Sequence, residues 1–309
     1  MTSHCEIRGI LQEIDAGKVL YDEPMSLHTS LAVGGKADAL VVVEHENQLA
    51  RVIKKFRMEG INYFTAGNLT NVIVKDGGYR GAIILMTGMK EIQCKPVGGH
   101  EGYILAQTGA SLAKVVSRSV VEALSGVEFC SGIPGSVGGA VWMNAGAYGR
   151  EMKDVIESVT VLDTEGSKKT MIREAISFGY RTSSFPSGTI ILGARFRLKK
   201  DDRATMKARI SEILQWRQAK HPLEYPSAGS VFKNPPGHPA GKIIEDMGLK
   251  GEKAGGAEIS SKHANFIVNK GGATAADVLA LIRLVQSRAR EEKNIDLETE
   301  VVVIGEDRC

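Results

Sequence analysis

The sequence predicts an α+β fold. Two observations carry that reading. Short apolar runs of strand length and segments with helical apolar spacing both occur, and neither is confined to one part of the chain. A third observation bears on function. Residues 131–149 read Ser-Gly-Ile-Pro-Gly-Ser-Val-Gly-Gly-Ala-Val-Trp-Met-Asn-Ala-Gly-Ala-Tyr-Gly, with Gly132, Gly135, Gly138, Gly139, Gly146 and Gly149 leaving the backbone almost bare. Bare backbone can approach a flat or charged ligand closely and aim N–H groups at phosphate oxygens. Such a stretch suits wrapping a large cofactor better than building a core.

Each element has its own signal. Residues 39–43 are a short apolar run, read as a buried strand. Leu49, Val52, Ile53 and Phe56 then recur at helical spacing. Residues 62–65, 72–74 and 82–86 read as strands, with the small polar turn Gly67-Asn68-Leu69-Thr70-Asn71 between two of them. Leu112, Val115, Val116 and Val120 mark a second amphipathic helix. Residues 155–162 and 190–198 read as strands. The second alternates Ile190, Leu192, Ala194, Phe196 and Leu198 against Arg195 and Arg197. Asp163-Thr164-Glu165-Gly166 is a turn between strands.

The polar junction at 199–203 is the expected domain boundary, followed by a helix carrying Met206, Ile210, Ile213 and Leu214. Residues 221–239, rich in Pro, Gly and Ser, read as a functional loop. A short helix opens at 240–247. Thr274, with Asp277 three residues on, caps a long helix that buries Val278, Leu281, Ile282 and Val285. Residues 299–304 read as a closing strand.

Bulk properties exclude several classes. The 309 residues suggest about two domains. A net charge of +3 is too small to argue for nucleic acid, though a mild positive balance suits an anionic substrate. Cys5, Cys94, Cys130 and Cys309 are too far apart for a Cys-x-x-Cys motif and read as isolated reduced thiols. No His-x-x-x-His pair suggests zinc, so no metal is expected. The N-terminus lacks the apolar region of a signal peptide, and no apolar run approaches the roughly 18 residues of a membrane helix. The expected location is cytoplasmic, with no membrane partner.

The glycine stretch matches neither common nucleotide loop. No Lys-Ser or Lys-Thr follows the glycines, and there is no Gly-x-Gly-x-x-Gly after a strand. Three further constellations carry polar groups. Phe178-Gly179-Tyr180-Arg181-Thr182-Ser183-Ser184 sets an arginine among small polar residues; read alone, Arg181 is a surface residue at a strand end. Pro226-Ser227-Ala228-Gly229-Ser230-Val231-Phe232-Lys233-Asn234-Pro235 contains Ser230, which alone could be a turn serine. No His/Asp pairing marks it as a nucleophile. Leu297-Glu298-Thr299-Glu300-Val301-Val302-Val303-Ile304-Gly305 takes Glu300 into an apolar strand, where an unpaired carboxylate is costly and an edge-exposed one is ordinary. Lys220 and His263 read alone as a solvated charge and a structural histidine.

Together these segments resemble the UDP-N-acetylenolpyruvoylglucosamine reductase family. Residues 28–38, 240–251 and 255–266 match as well, so the likeness runs from about residue 28 to Glu306. The resemblance implies an FAD-binding domain of the p-cresol methylhydroxylase type over 1–198, with α+β lobes at about 1–85 and 86–198. A substrate-binding α+β domain follows over 199–309, its last strand returning to the first lobe. It implies tightly bound, non-covalent FAD, with NADPH and UDP-N-acetylglucosamine enolpyruvate as substrates, and a monomer engaged in peptidoglycan precursor synthesis.

By position, Arg181, Ser230 and Glu300 fall on the family's catalytic residues, with Ser230 as general acid. Lys220, Asn234 and His263 fall on substrate contacts. Flavin contacts fall on Gly67, Asn68, Thr70 and Asn71. In the glycine stretch they fall on Gly132, Ile133, Pro134, Gly135, Ser136, Gly139, Ala140, Asn144, Gly146 and Ala147. Leu69 departs from the family, standing where glycine is usual, and leucine resists φ > 0. The span from Arg181 to Ser230 leaves no room for the tyrosine-bearing insertion of one subclass. Two other readings are a flavin oxidase on the same fold and a non-catalytic flavin- or nucleotide-sugar-binding protein.

Overall fold

Helical spacing becomes a helix where it should: Glu46–Met58 buries Leu49, Val52, Ile53 and Phe56 on one side and leaves its charged residues outside. The structure is a computed structural model that describes residues 4–96 and 99–308. Those residues fall into two units. The first holds the chain up to Leu20, Ala39–Asn68 and Ala82–Trp216; the second holds Tyr21–Asp38, Leu69–Gly81 and the chain from Arg217.

In the first unit, the strand Ile190–Lys200 is central. It pairs antiparallel with Ile156–Leu162 on one side and Glu101–Gln107 on the other. Lys168–Ile172 and Ile92–Pro96 extend the sheet outward, and Leu124–Ser125 adds to the end of the central strand. Its buried residues, Phe196 and Leu198 among them, pack with Leu112, Val115 and Val116 of the helix Leu112–Val121. Val137 and Val141 of the glycine stretch join the same core. Parallel pairing joins Tyr63–Ala66 to residues 82–85. Cys130 is fully buried here, and burial pushes its thiol pKa upward, as an inert thiol requires. Cys94 is half-buried, while Cys309 and the side chain of Cys5 lie outside the described residues.

In the second unit, Ser227–Ser230, Phe266–Asn269, Ala257–Ile259 and Lys253–Ala254 form an antiparallel sheet in that order. Val278, Leu281, Ile282 and Val285 of the helix Ala275–Lys293 pack into the same core as Ala257, Ile259 and Ile267 of this sheet. Thr274 and Asp277 form the capping box expected from sequence. Asp76 adds both carboxylate oxygens, accepting from the N–H groups of Ala275 and Ala276. The closing strand, Val302–Ile304, pairs parallel with Val72–Val74.

Contacts divide the chain differently from the break drawn between residues 198 and 199. The first unit runs on to Trp216 because the helix Arg203–Lys220 begins tied to it. Arg203 donates to the Val121 carbonyl, Arg209 pairs with Asp201, and Ile210 packs on the first core. Residues 21–38 and 69–81 belong with the C-terminal part through Asp76 and the parallel closing strand. The loop at 221–239 also contains a strand, Ser227–Ser230, that sequence did not reveal. Among the described residues no helix is long and apolar enough to cross a membrane, and no group of His, Cys, Asp and Glu is placed to hold a metal ion.

Candidate active site

The glycine stretch is strapped to the segment before the helix Leu112–Val121. Val137 and Gly138 donate to the carbonyls of Ala110 and Thr108, and Leu112 donates to Gly135. A Cβ on Gly138 would collide with the Thr108 hydroxyl, and one on Gly67 with the Ser136 hydroxyl. Glycine is therefore required at both places for the loops to meet. Gly132, Pro134 and Gly139 remain exposed, Ile133, Gly135, Gly146, Ala147, Gly67 and Asn68 are half-buried, and Ala140 is buried.

Three buried hydroxyls in this region, on Thr108, Ser131 and Ser136, have no protein partner. A buried polar group left unpaired costs about 1–3 kcal/mol. Hydroxyls beside open glycine backbone fit the diphosphate and ring edge of FAD. Thr108 and Ser131 were missed in the sequence; their signal is the unpaired hydroxyl, which only packing reveals.

Asn144, expected as a flavin contact, bonds its side chain within the protein. It is fully buried, at φ 46°. Its Nδ2 donates to Glu151 Oε2 and to the Gly179 carbonyl, both at 2.9 Å, and its Oδ1 accepts from Lys153 N–H at 3.0 Å. Both amide hydrogens are spent inside the protein. The carbonyl they reach belongs to the hairpin formed by Phe178–Gly179 and Thr182–Ser183. Arg181, half-buried at its tip with φ 55°, donates to the Gly146 carbonyl at 3.1 Å. Its guanidinium carbon lies 5.1 Å from the Tyr180 ring centroid.

In the second unit, Ser230 ends its strand opposite Phe266. The next residue, Val231, accepts a 2.8 Å bond from the Glu300 N–H, so Ser230 and Glu300 come together although 70 residues apart. Asn265 fixes this junction: its side chain accepts from Phe232 N–H and donates to the Phe232 carbonyl. Asn71 donates its amide to the Glu300 carbonyl at 2.9 Å. The Thr70 carbonyl accepts from Ser30, and Leu69 takes φ 51° with its side chain buried. Ser230 and Glu300 are half-buried, as is His263.

Asn234 is exposed and accepts from Ala240 N–H at the start of the helix Ala240–Asp246. Lys220 is exposed at the end of its helix. His263 sits edge-on to His221 and Phe266, with ring centroids 5.5 and 4.9 Å away. Burial lowers the pKa of both histidines, that of His221 to about 4, helped by Arg217, His263, Lys262 and Lys220. His221 escaped sequence reading because a lone histidine carries no pattern.

Two family profiles match this chain: an FAD binding domain over residues 37–171, and the C-terminal domain of UDP-N-acetylenolpyruvoylglucosamine reductase over residues 221–304. The UDP-N-acetylenolpyruvoylglucosamine reductase of Syntrophus aciditrophicus (strain SB) is 46% identical over 301 residues, 97% of this chain and 96% of that one. The chain belongs to the UDP-N-acetylenolpyruvoylglucosamine reductase family. The reductase of Clostridium kluyveri (strain NBRC 12016) is 47% identical over 96% of this chain and 97% of its own. A solved reductase of this family, from Thermus caldophilus, superposes with a TM-score of 0.77 at 36% identity, covering 93% of this chain and 98% of its own. FAD is thus the cofactor whose binding domain this reductase-family chain carries.

Proposed function

We propose that this protein reduces UDP-N-acetylglucosamine enolpyruvate to UDP-N-acetylmuramate in peptidoglycan precursor synthesis, with NADPH as reductant and FAD as cofactor. The observation that carries the proposal is the meeting of Ser230 and Glu300 through the Glu300 N–H to Val231 bond. It sets side by side the backbone segments that carry a hydroxyl and a carboxylate, the two groups a proton-transfer site needs.

When bound, FAD supplies a hydride, taken from NADPH and given to the terminal carbon of the enolpyruvyl group. Gly67, Asn68, Thr70, Ser136 and the open backbone from Gly132 to Gly139 would hold it, with Thr108 and Ser131 offering their unpaired hydroxyls. Charge then develops on the neighbouring carbon and its carboxylate. Arg181 stabilises that enolate by a guanidinium fork fixed in advance, so little reorganisation is needed as the charge forms. Ser230 delivers the proton to carbon. A neutral hydroxyl is a weak acid and can serve here because the base is carbanionic. Glu300 orients the groups around that carbon. Lys220, Asn234 and His263 bind the nucleotide sugar, His263 as a neutral ring. The same reading has the protein work as a monomer in the cytoplasm.

The direct test is anaerobic turnover. NADPH and the enolpyruvyl sugar should disappear mole for mole as UDP-N-acetylmuramate forms. NADPH consumption that needs oxygen and ignores the sugar would instead establish an oxidase.

A further inference from the structure

Arg181 sits in a backbone conformation that a Cβ resists, at φ 55° in a two-residue turn. Such a residue stays put only where its surroundings over-determine it. Three hydrogen bonds do so here, all to the glycine stretch. Asn144 Nδ2 donates to the Gly179 carbonyl at the start of the turn at 2.9 Å. The Arg181 guanidinium donates to the Gly146 carbonyl at 3.1 Å. Beyond the turn, the Ser183 hydroxyl donates to the Trp142 carbonyl. The Trp142 ring stacks on Phe185 just past the hairpin, with centroids 5.9 Å apart.

Asn144 is built into place more firmly than its partners. It is itself left-handed, at φ 46°, a conformation asparagine tolerates better than most residues. Its second amide hydrogen is held by Glu151, whose carboxylate also pairs with Lys153 at 2.6 Å. Its carbonyl oxygen accepts from Lys153 N–H. Only a primary amide can donate to a carboxylate and a carbonyl while accepting from an N–H. An aspartate would set oxygen against oxygen at both.

We propose that Asn144 is a positioning residue for the reduction of the enolpyruvyl group: it fixes the height and angle of the Arg181 hairpin on the cofactor-binding segment, with Ser183 as the second tie. This rests on the reading of Arg181 as the group that meets the substrate carboxylate.

Two variants separate positioning from mere structure. Asn144→Gly keeps the left-handed backbone and removes the amide; Ser183→Ala removes only the second tie. Each FAD-loaded enzyme is reduced anaerobically with NADPH and then mixed with the enolpyruvyl sugar, following flavin absorbance. Asn144→Gly should keep its FAD and bleach within about twofold of wild type. Its recolouring should slow roughly tenfold to a hundredfold, the scale of a small misplacement of a reacting group. Ser183→Ala should give a smaller loss confined to the same step. In an Arg181→Lys background, Asn144→Gly should cost less than about twofold more.

Loss of FAD or equal slowing of both steps in Asn144→Gly, with Ser183→Ala recolouring normally, would make Asn144 a support of the cofactor loop and end the proposal. Fully additive losses in the double variant would end it too. Normal recolouring by Arg181→Lys alone would remove the underlying reading of Arg181.

Discussion

Leu69 is held against its own backbone preference. At φ 51°, a left-handed leucine costs about 1–2 kcal/mol, yet its side chain is only 2% exposed. Truncating a buried leucine costs about 2–5 kcal/mol, so burial outweighs strain. Leu69→Gly, which restores the family's usual residue, should therefore destabilise the protein by roughly 1–3 kcal/mol in urea unfolding. Equal or greater stability would mean that the side chain adds little. The sequence announced this conflict but not its resolution, because a turn residue's burial is decided by what folds over it. Asn71 and Asn144 teach the same lesson. Both were read as flavin contacts from their loops, and both spend amide hydrogens on carbonyls 229 and 35 residues away. Spacing along a loop carries no information about such partners.

Elements were legible where packing follows local pattern. The helices Glu46–Met58 and Ala275–Lys293 bury the faces their periodicity marks, and the Thr274 cap forms as written. Glu101–Gln107 was missed although it lies next to the central strand. Its buried side is Gly102, Ile104 and Ala106, while Tyr103 and Leu105 are half-buried, so polarity barely alternates. Lys168–Ile172 is an edge strand with an almost wholly exposed, lysine-led pattern, a composition that suits an edge but hides a strand. The segment carrying His221, His263 and Phe266 makes a pH prediction. Folded His221 takes up a proton only near pH 4, whereas the unfolded chain does so near 6.5. The unfolded state thus binds more protons in that window, and stability should fall as pH drops from 6.5 to about 4. Above the window the residue contributes no pH dependence. Thermal melts across this range should decline less steeply in His221→Phe; parallel curves for the two proteins would rule out His221 as a source.

At the scale of the molecule, the chain's route was the least legible feature. The parallel pairing of Val302–Ile304 with Val72–Val74 joins segments some 230 residues apart; the family likeness implies that the last strand returns to the first lobe, but apolar patterning alone does not choose its partner. Of the residues proposed as catalytic, Ser230 and Glu300 lie close along the backbone, through the bond from Glu300 N–H to the Val231 carbonyl. In the proposed reaction, labour is divided: the cofactor segment supports reduction, and Ser230 protonates carbon. Stopped-flow absorbance on Ser230→Ala tests it most directly. The account predicts bleaching by NADPH at the wild-type rate, followed by recolouring with the enolpyruvyl sugar slowed by a factor on the order of 10² to 10⁴. Recolouring at a near-normal rate would contradict it, for the proton would then come from elsewhere.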